Sequence, residues 1–150
     1  MSAHLTSLGP QGGVAFHVNP ASSQDNLVQA GVRQVVMGTE RFDVGSNFAS
    51  NVFTAPVTGH YQLNFMIRVN ALDSGATYYQ TYLLTSNKTY YTTIAPGSLS
   101  GDASYWSLAT ISVLADLDVN DTAYCAVYQL GGSNQTDIET ETYYSGYLVA

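Results

Sequence analysis

The fold is decided by residues 53–65, which read Phe-Thr-Ala-Pro-Val-Thr-Gly-His-Tyr-Gln-Leu-Asn-Phe. Pro56 fixes its own φ angle and Gly59 has a permissive backbone, so the residues that they bracket are predicted to form a turn. Beyond the turn, apolar side chains occupy every second position from Tyr61 to Val69, and mostly polar residues take the positions between them. This period of two predicts a β-strand with one buried face and does not fit a helix.

Short β-rich runs separated by turn residues continue on both sides of this stretch, without a helical period. The predicted strands are residues 14–18, 32–37, 41–44, 52–55, 60–70, 77–84, 89–94, 104–114, 122–130 and 139–149. About ten strands at this spacing predict an all-β antiparallel sandwich or barrel. We assign residues 14–150 to one domain, and we interpret residues 1–13, which end in Gly-Pro-Gln-Gly-Gly, as a flexible lead-in or the end of a stalk.

The composition is poor in charge: 45% of the residues are hydrophobic and 10% are charged, against about 25% charged in typical domains. Such a chain is expected to bury part of its surface against copies of itself. The net charge of −7, with only four Lys and Arg residues, argues against binding to nucleic acid or to an anionic membrane surface. No apolar run reaches the length of a membrane span, and the first residues lack the pattern of a signal peptide.

Motifs for catalysis are missing from the sequence. We find no Gly-x-Ser-x-Gly elbow, no phosphate loop and no metal-binding spacing of histidines, and we predict that the single Cys125 is a buried, inert thiol. Asp116 and Asp118 could share one face of a strand, as the two carboxylates of a glycosidase must share a site. A carbohydrate-active enzyme that uses this pair is kept as an alternative, but we predict that the protein is not an enzyme.

Three late strands carry apolar or aromatic side chains on both faces, and a strand of that kind needs a partner on each side. One partner is the core of the domain, and the other must be a second subunit or a ligand. The aromatic residues predicted to face another subunit are Tyr105, Trp106, Tyr124, Tyr128, Tyr144 and Tyr147.

Two pairs of adjacent tyrosines define a candidate ligand surface, namely Tyr78 with Tyr79 and Tyr90 with Tyr91. Tyrosine provides rigid amphipathic contact area, which suits recognition of proteins and sugars. Adjacent residues of a strand face opposite ways, so one tyrosine of each pair should point outward. The competing interpretation is that these rings fill the core and the subunit interface.

The sequence resembles the globular head of complement subcomponent q. The central match is Phe53 followed by Pro56-x-x-Gly59-x-Tyr61-x-Leu63-x-Phe65, which is the signature of that family. Further similar segments keep the family's order along the chain: Val14-Ala-Phe-His-Val, Phe42-Asp43, Leu117-Asp-Val-Asn-Asp-Thr-Ala-Tyr and the closing Tyr144-Ser-Gly-Tyr-Leu-Val. Asn120 stands where the family usually has glycine. The resemblance covers nearly the whole chain.

This resemblance implies a ten-stranded jelly-roll sandwich, like the complement head and the tumour-necrosis-factor (TNF)-like proteins, that assembles as a homotrimer through one sheet. The six aromatic residues named above then become the predicted trimer interface. The resemblance also implies that calcium could bind near the trimer apex, and Asp102 is the candidate ligand because it is the only acid in the corresponding loop. No other cofactor is expected.

We therefore predict a non-enzymatic trimeric recognition or structural head that binds a protein or glycan receptor. The lack of a signal-peptide pattern, the absence of paired cysteines and the composition rich in Ser, Thr, Asn and Tyr favour a viral or phage structural protein, such as a fibre tip or capsid decoration, exposed outside the cell or on a virion. The alternatives are a secreted complement-like or cytokine-like ligand and a carbohydrate-binding module.

Overall fold

The computed structural model describes residues 13–150, and these residues form an antiparallel β-sandwich. Most of the predicted lead-in, residues 1–12, lies outside the described part of the chain. In chain order the strands are β1 (Ala15–Asn19), β2 (Arg33–Gln34), β3 (Thr39–Val44), β4 (Phe48–Ala49), β5 (Val52–Thr54), β6 (Gly59–Asn70), β7 (Tyr78–Thr85), β8 (Thr89–Ile94), β9 (Trp106–Leu117), β10 (Thr122–Leu130), β11 (Asp137–Ile138) and β12 (Tyr143–Leu148). One short 3₁₀ turn, Pro96–Ser98, is the only helical element in this part of the chain.

Two six-stranded sheets make up the sandwich. The β6 sheet runs in the order β3, β1, β12, β6 and β9, with the short β11 also paired to β6. The β10 sheet runs in the order β4, β5, β10, β7 and β8, with the short β2 also paired to β10. Every pair is antiparallel, and the first and last long strands, β1 and β12, are neighbours. This is the jelly-roll sandwich that the sequence predicted.

Strand β6 shows why the opening stretch decides the fold. Tyr61, Leu63, Phe65, Ile67 and Val69 all point inward and are fully buried. The Tyr61 hydroxyl donates a hydrogen bond to the carbonyl oxygen of Val57, at 2.6 Å, which ties the strand to the turn before it. Burial of five large side chains from one strand is the largest single apolar contribution to the core that we can identify.

Gly59 is needed for a reason other than backbone freedom. A Cβ atom at this position would lie 2.7 Å from the carbonyl oxygen of Ala150 and 2.8 Å from the Leu148 side chain. The next residue, His60, donates its backbone N–H to the same Ala150 oxygen, at 2.7 Å. The glycine therefore lets the end of the chain pack directly against the start of β6.

The strands differ from the prediction in number and length because pairing, rather than side-chain pattern, sets their ends. The segment 32–37 was predicted as one strand, but only Arg33–Gln34 pairs with β10. The predicted strand 139–149 is shorter, and Asp137–Ile138 forms a separate strand before it. The two-residue strand Phe48–Ala49 was not predicted, and β9 extends to Leu117 rather than ending at Leu114.

Aromatic rings fill the centre of the core between the sheets. Phe16 of β1 stacks on Phe53 of β5, with 4.6 Å between ring centroids. Tyr144 of β12 meets the edge of Phe16 at 4.9 Å, and Tyr61 meets Phe53 at 5.5 Å. Contacts of this kind join strands of both sheets, so the two sheets are held face to face.

Candidate recognition surfaces

The outer face of the β6 sheet carries a row of exposed side chains that runs across five strands. Paired positions place Val44, Ala15, Tyr147, Gln62 and Leu114 side by side. Leu114 is 59% exposed, Tyr147 50% and Val44 46%. A surface with several exposed apolar side chains in one row marks an interaction site more often than single scattered apolar residues do.

A second row lies beside the first and has a polar centre. It places Phe42, which is 49% exposed, next to His17, Ser145, Asn64 and Ser112. The Asn64 side-chain oxygen accepts hydrogen bonds from the Ser112 hydroxyl at 2.9 Å and from the amide of Gln62, in the first row, at 3.1 Å. The polar groups in the middle of this face are therefore partly satisfied within one chain, which lowers the cost of covering them.

His17 is the titratable group near the centre of this face. Its ring lies 5.7 Å from that of Tyr143 and 6.1 Å from that of Phe42. Partial burial, with a smaller contribution from the positive charge of Arg41, lowers the pKa of His17 below its ordinary value of 6.5. At pH 7 the neutral form of this imidazole is therefore favoured more strongly than in an unperturbed histidine.

Arg68 lies on the outer face of the β6 sheet, near the C-terminal end of β6. Its guanidinium lies 5.6 Å from the centre of the Tyr105 ring, in a cation–π arrangement. The Thr142 hydroxyl fastens the backbone of Arg68 on both sides, since it accepts from the N–H at 3.0 Å and donates to the carbonyl oxygen at 3.2 Å. Burial, followed by repulsion from neighbouring acids, raises the pKa of Glu139 nearby.

The outer face of the β10 sheet is different in character, and we call it the tyrosine face. It is formed by the outward positions of β7, β8 and β10. These are Tyr78, Gln80, Tyr82, Leu84, Thr89, Tyr91, Thr93, Thr122, Tyr124, Ala126, Tyr128 and Leu130. None of these side chains is charged, and five of them are tyrosines.

Five of the six predicted trimer-interface residues are divided among three places on the surface. Tyr147 lies on the outer face of the β6 sheet, and Tyr105 and Trp106 lie at its β9 edge, where both are exposed. Tyr124 and Tyr128 instead belong to the tyrosine face.

The prediction is wrong for Tyr144, which is fully buried. Its ring packs among core aromatics, and burial raises its pKa well above the usual range. Residues that sequence reasoning missed on the β6 face are Phe42, Val44 and Leu114.

The predicted ligand surface is also divided. Tyr78 and Tyr91 point outward, as alternation predicts for one member of each pair, and Tyr91 is 59% exposed. Tyr79 is fully buried, so its prediction as a ligand residue is wrong. Its hydroxyl accepts a hydrogen bond from the backbone N–H of Asp73 at 3.0 Å. Tyr90 packs against the rim of the core, with the Lys88 ammonium 5.4 Å from its ring centre.

The surroundings of Asp102 do not fit a calcium site. One carboxylate oxygen accepts from the backbone N–H and hydroxyl of Ser74, and the other accepts from the Gln135 amide at 2.9 Å. These hydrogen bonds lower the pKa of Asp102. No group of three or more His, Cys, Asp or Glu side chains that could hold a metal occurs in residues 13–150. Asp102 therefore serves to tie two loops together.

The carboxylate pair of the enzyme alternative does not share a strand. β9 ends at Leu117, so Asp116 lies on the strand and Asp118 lies in the turn that follows. The backbone N–H of Asp118 donates to a carboxylate oxygen of Asp121, at 2.8 Å, which closes that turn. Cys125 is buried as predicted, and burial raises the pKa of its thiol.

Comparison with known proteins identifies the fold and the family. The sequence profile described as "C1q domain" matches residues 16–149, whereas a comparison with curated protein sequences gives no match. No helix of the described residues has the length and apolar character that a membrane crossing requires.

Two solved structures illustrate the likeness in fold. The globular domain of zebrafish complement 1qA is 13% identical with a TM-score of 0.55, over 92% of this chain and 98% of that one. Murine APRIL at pH 8.5 is 9% identical with a TM-score of 0.61, over 91% of this chain and 99% of that one. At these identities the likeness concerns the fold alone. Together with the family profile, which spans nearly every described residue, it shows that the chain belongs to the C1q domain family.

Proposed function

We propose that this protein is a non-enzymatic, homotrimeric recognition head that acts outside the cell and binds a protein or glycan receptor. The observation that carries the proposal is the exposed apolar outer face of the β6 sheet. Phe42, Val44, Leu114 and Tyr147 each leave nearly half or more of their surface exposed on that face. In a chain with few charges, an exposed apolar face of this kind marks a surface that another chain covers.

A three-fold arrangement covers such a face in every subunit at once. In a closed ring each chain repeats one head-to-tail contact with the next chain around the axis, so no copy is left unpaired. The hydrogen-bonded group of Gln62, Asn64 and Ser112 lies in the middle of the face, so the polar atoms that become buried keep partners. Membership of the C1q domain family supports the same assembly.

The charges of the chain support a receptor other than nucleic acid. Eleven acidic residues against four Lys and Arg give a net charge of −7, which repels phosphate backbones. Two settings suit such a head: a viral or phage fibre tip or capsid decoration, and a secreted complement-like or cytokine-like ligand. Both present it outside the cell, and the family resemblance supports them equally.

Light scattering combined with size-exclusion chromatography tests the assembly at low micromolar concentration. We expect a mass of about 48 kDa, which is three chains of 16.1 kDa. Leu114→Glu should reduce the mass to that of one chain, because each interface would then bury a carboxylate without an opposite charge. Val119→Glu is the matched control, since Val119 is 51% exposed in the turn after β9 and its replacement should leave the trimer intact. A single-chain mass for the unmodified protein would contradict the proposal.

A further inference from the structure

We propose that the tyrosine face binds an uncharged glycan. This inference rests on the proposed function, because it assigns the ligand and the ligand surface of the recognition head. The two competing occupants of this face are a charged ligand and a second copy of the chain. The following observations favour a neutral sugar over both.

The first observation is the absence of charge from the face. The chain carries fifteen acidic and basic residues in total, yet none of the twelve outward positions on β7, β8 and β10 is one of them. A sulfated glycan, a phosphate or a basic peptide would lose its hydration shell here without gaining an opposite charge. A neutral ligand carries no charge that has to be desolvated, so it suits a surface without charged side chains.

The second observation is the arrangement of the rings. Tyr78 and Tyr128 form one pair and Tyr82 and Tyr91 a second, each with 5.9 Å between centroids. Within the pairs the ring planes are tilted by 37° and 38°. Ala126 pairs with Tyr82 and is fully buried, so a small side chain forms the floor between the aromatic groups. A pyranose ring presents a flat face of C–H groups, which packs on tyrosine rings of this kind.

The third observation is a hydrogen-bond chain between the rings. The Tyr82 hydroxyl donates to the side-chain oxygen of Gln80, and the Gln80 amide donates to the Thr93 hydroxyl at 3.1 Å. These bonds fix the three side chains before any ligand arrives, which reduces the entropy lost on binding. The Gln80 amide keeps one further hydrogen and the Thr93 hydroxyl keeps its own, and both can donate to sugar hydroxyls.

Exposure argues against a second copy of the chain on this face. Protein interfaces depend on anchor side chains that insert into a partner's pocket. On the tyrosine face, Tyr91 is the only large exposed side chain, and Tyr78, Tyr82, Tyr124 and Tyr128 are half-buried and lie low on the sheet. A shallow surface of this kind suits a flat ligand, whereas the apolar side chains of the β6 face stand free for contact with another subunit.

The test is titration of the full chain with defined oligosaccharides, in which binding is measured by calorimetry and by saturation-transfer NMR. The probes are maltopentaose, cellopentaose, mannopentaose and chitopentaose as neutral ligands, and a heparin-derived hexasaccharide as an anionic one. We expect saturable binding of at least one neutral probe, with an affinity that does not depend on salt. Saturation of the aromatic hydrogens of the protein should transfer to the C–H hydrogens of the bound sugar.

Variants of the rings assign the binding to this face. Tyr91→Ala and Tyr82→Ala should each weaken binding by about fivefold to tenfold, whereas Tyr91→Phe keeps the ring and should retain most of the affinity. Val119→Ala removes an equally exposed apolar side chain outside the face and should change nothing. Light scattering on the same samples reports whether each variant is still folded and assembled.

Three outcomes would overturn the inference while the mass remains that of a trimer. These are no binding of any neutral probe at about 10 mM, a preference for the anionic probe that salt abolishes, and neutral binding that Tyr91→Ala leaves unchanged. A mass of six chains that Tyr91→Ala returns to three would also overturn it, because the face would then join copies. A single-chain mass instead contradicts the proposed function, so the two failures are distinguishable.

Discussion

The two outer faces of the sandwich both belong to six-stranded antiparallel sheets, but their surface chemistry differs. The β6 face combines charged groups such as Arg68 and Asp116 with freely exposed apolar side chains such as Leu114 and Tyr147. The tyrosine face has no charge, and all but one of its rings lie half-buried against their neighbours.

The contrast teaches that aromatic content alone does not distinguish an assembly surface from a ligand surface. What distinguishes the faces is how far side chains project and whether their polar atoms already have partners. The β6 face offers projecting anchors, as protein interfaces require. The tyrosine face offers half-buried rings that hydrogen bonds hold in place, with spare donors between them.

The largest effect on this comparison should come from Gly146→Ala, which disturbs the β6 sheet from within. A Cβ atom at Gly146 would lie 2.7 Å from the Leu63 side chain, 2.9 Å from the Phe16 ring and 3.0 Å from the backbone oxygen of Gln62. Because the backbone atom cannot move aside, we expect a loss of about 2 kcal/mol in the free energy of unfolding, measured by chemical denaturation.

Gly97→Ala is the control for this substitution, since no atom lies within 4 Å of the position that its Cβ would take. We expect Gly97→Ala to change stability by less than about 0.5 kcal/mol. Equal effects of the two substitutions would show that close packing at Gly146 is not what holds β12 between β1 and β6.

A pair of buried tyrosines, one from each sheet, gives the next largest effect. Tyr79→Phe should cost about 1.5 kcal/mol, because it leaves the buried N–H of Asp73 without its partner and removes the hydrogen bond to Thr136, whose hydroxyl keeps only the Ala71 carbonyl oxygen. Tyr144→Phe should instead stabilise the protein by about 1 kcal/mol, because the buried Tyr144 hydroxyl has no hydrogen-bond partner in residues 13–150. Thermal and chemical unfolding of both variants measures the difference, and equal signs would refute this assignment.

The smallest expected effect is a dependence of stability on pH that comes from His17 on the β6 face. The pKa of His17 in the folded protein is below 6.5, so the unfolded chain takes up this proton first as the pH falls. Stability should therefore decrease below pH 6.5, and the decrease is complete once the pH is below the folded-state pKa. His17→Gln should remove this part of the pH dependence in denaturation curves, whereas His60→Gln, on an exposed position of β6, should retain it.

Much of the fold was predictable because its strongest signals are local. The alternation from Tyr61 to Val69 fixes β6, and the turn residues before it fix where that strand starts. The division of the C-terminal strand was not predictable, because it depends on pairing of Asp137 and Ile138 with residues about seventy positions earlier. A short strand such as Phe48–Ala49 has too few residues to show any period.

The candidate sites were less predictable because a shift of one residue along a strand moves a side chain from surface to core. Tyr78 and Tyr79 are both aromatic, and the neighbours of each are of mixed polarity, so the sequence does not say which one is buried. Tyr82 could have been found, since it follows Tyr78 and Gln80 at a spacing of two. Asp102 was assigned by analogy, and only the contacts with Ser74 and Gln135 show its role in the loops.

The pairing of β1 with β12 sets an order for folding during synthesis on the ribosome. All strands of the β10 sheet have been made once Leu130 is complete, so that sheet can form early. The β6 sheet cannot close until Tyr143–Leu148 has left the exit tunnel, because β12 lies between β1 and β6. Until then one edge of β6 has open hydrogen-bonding groups, so the nascent chain is most prone to aggregation in the interval before β12 emerges.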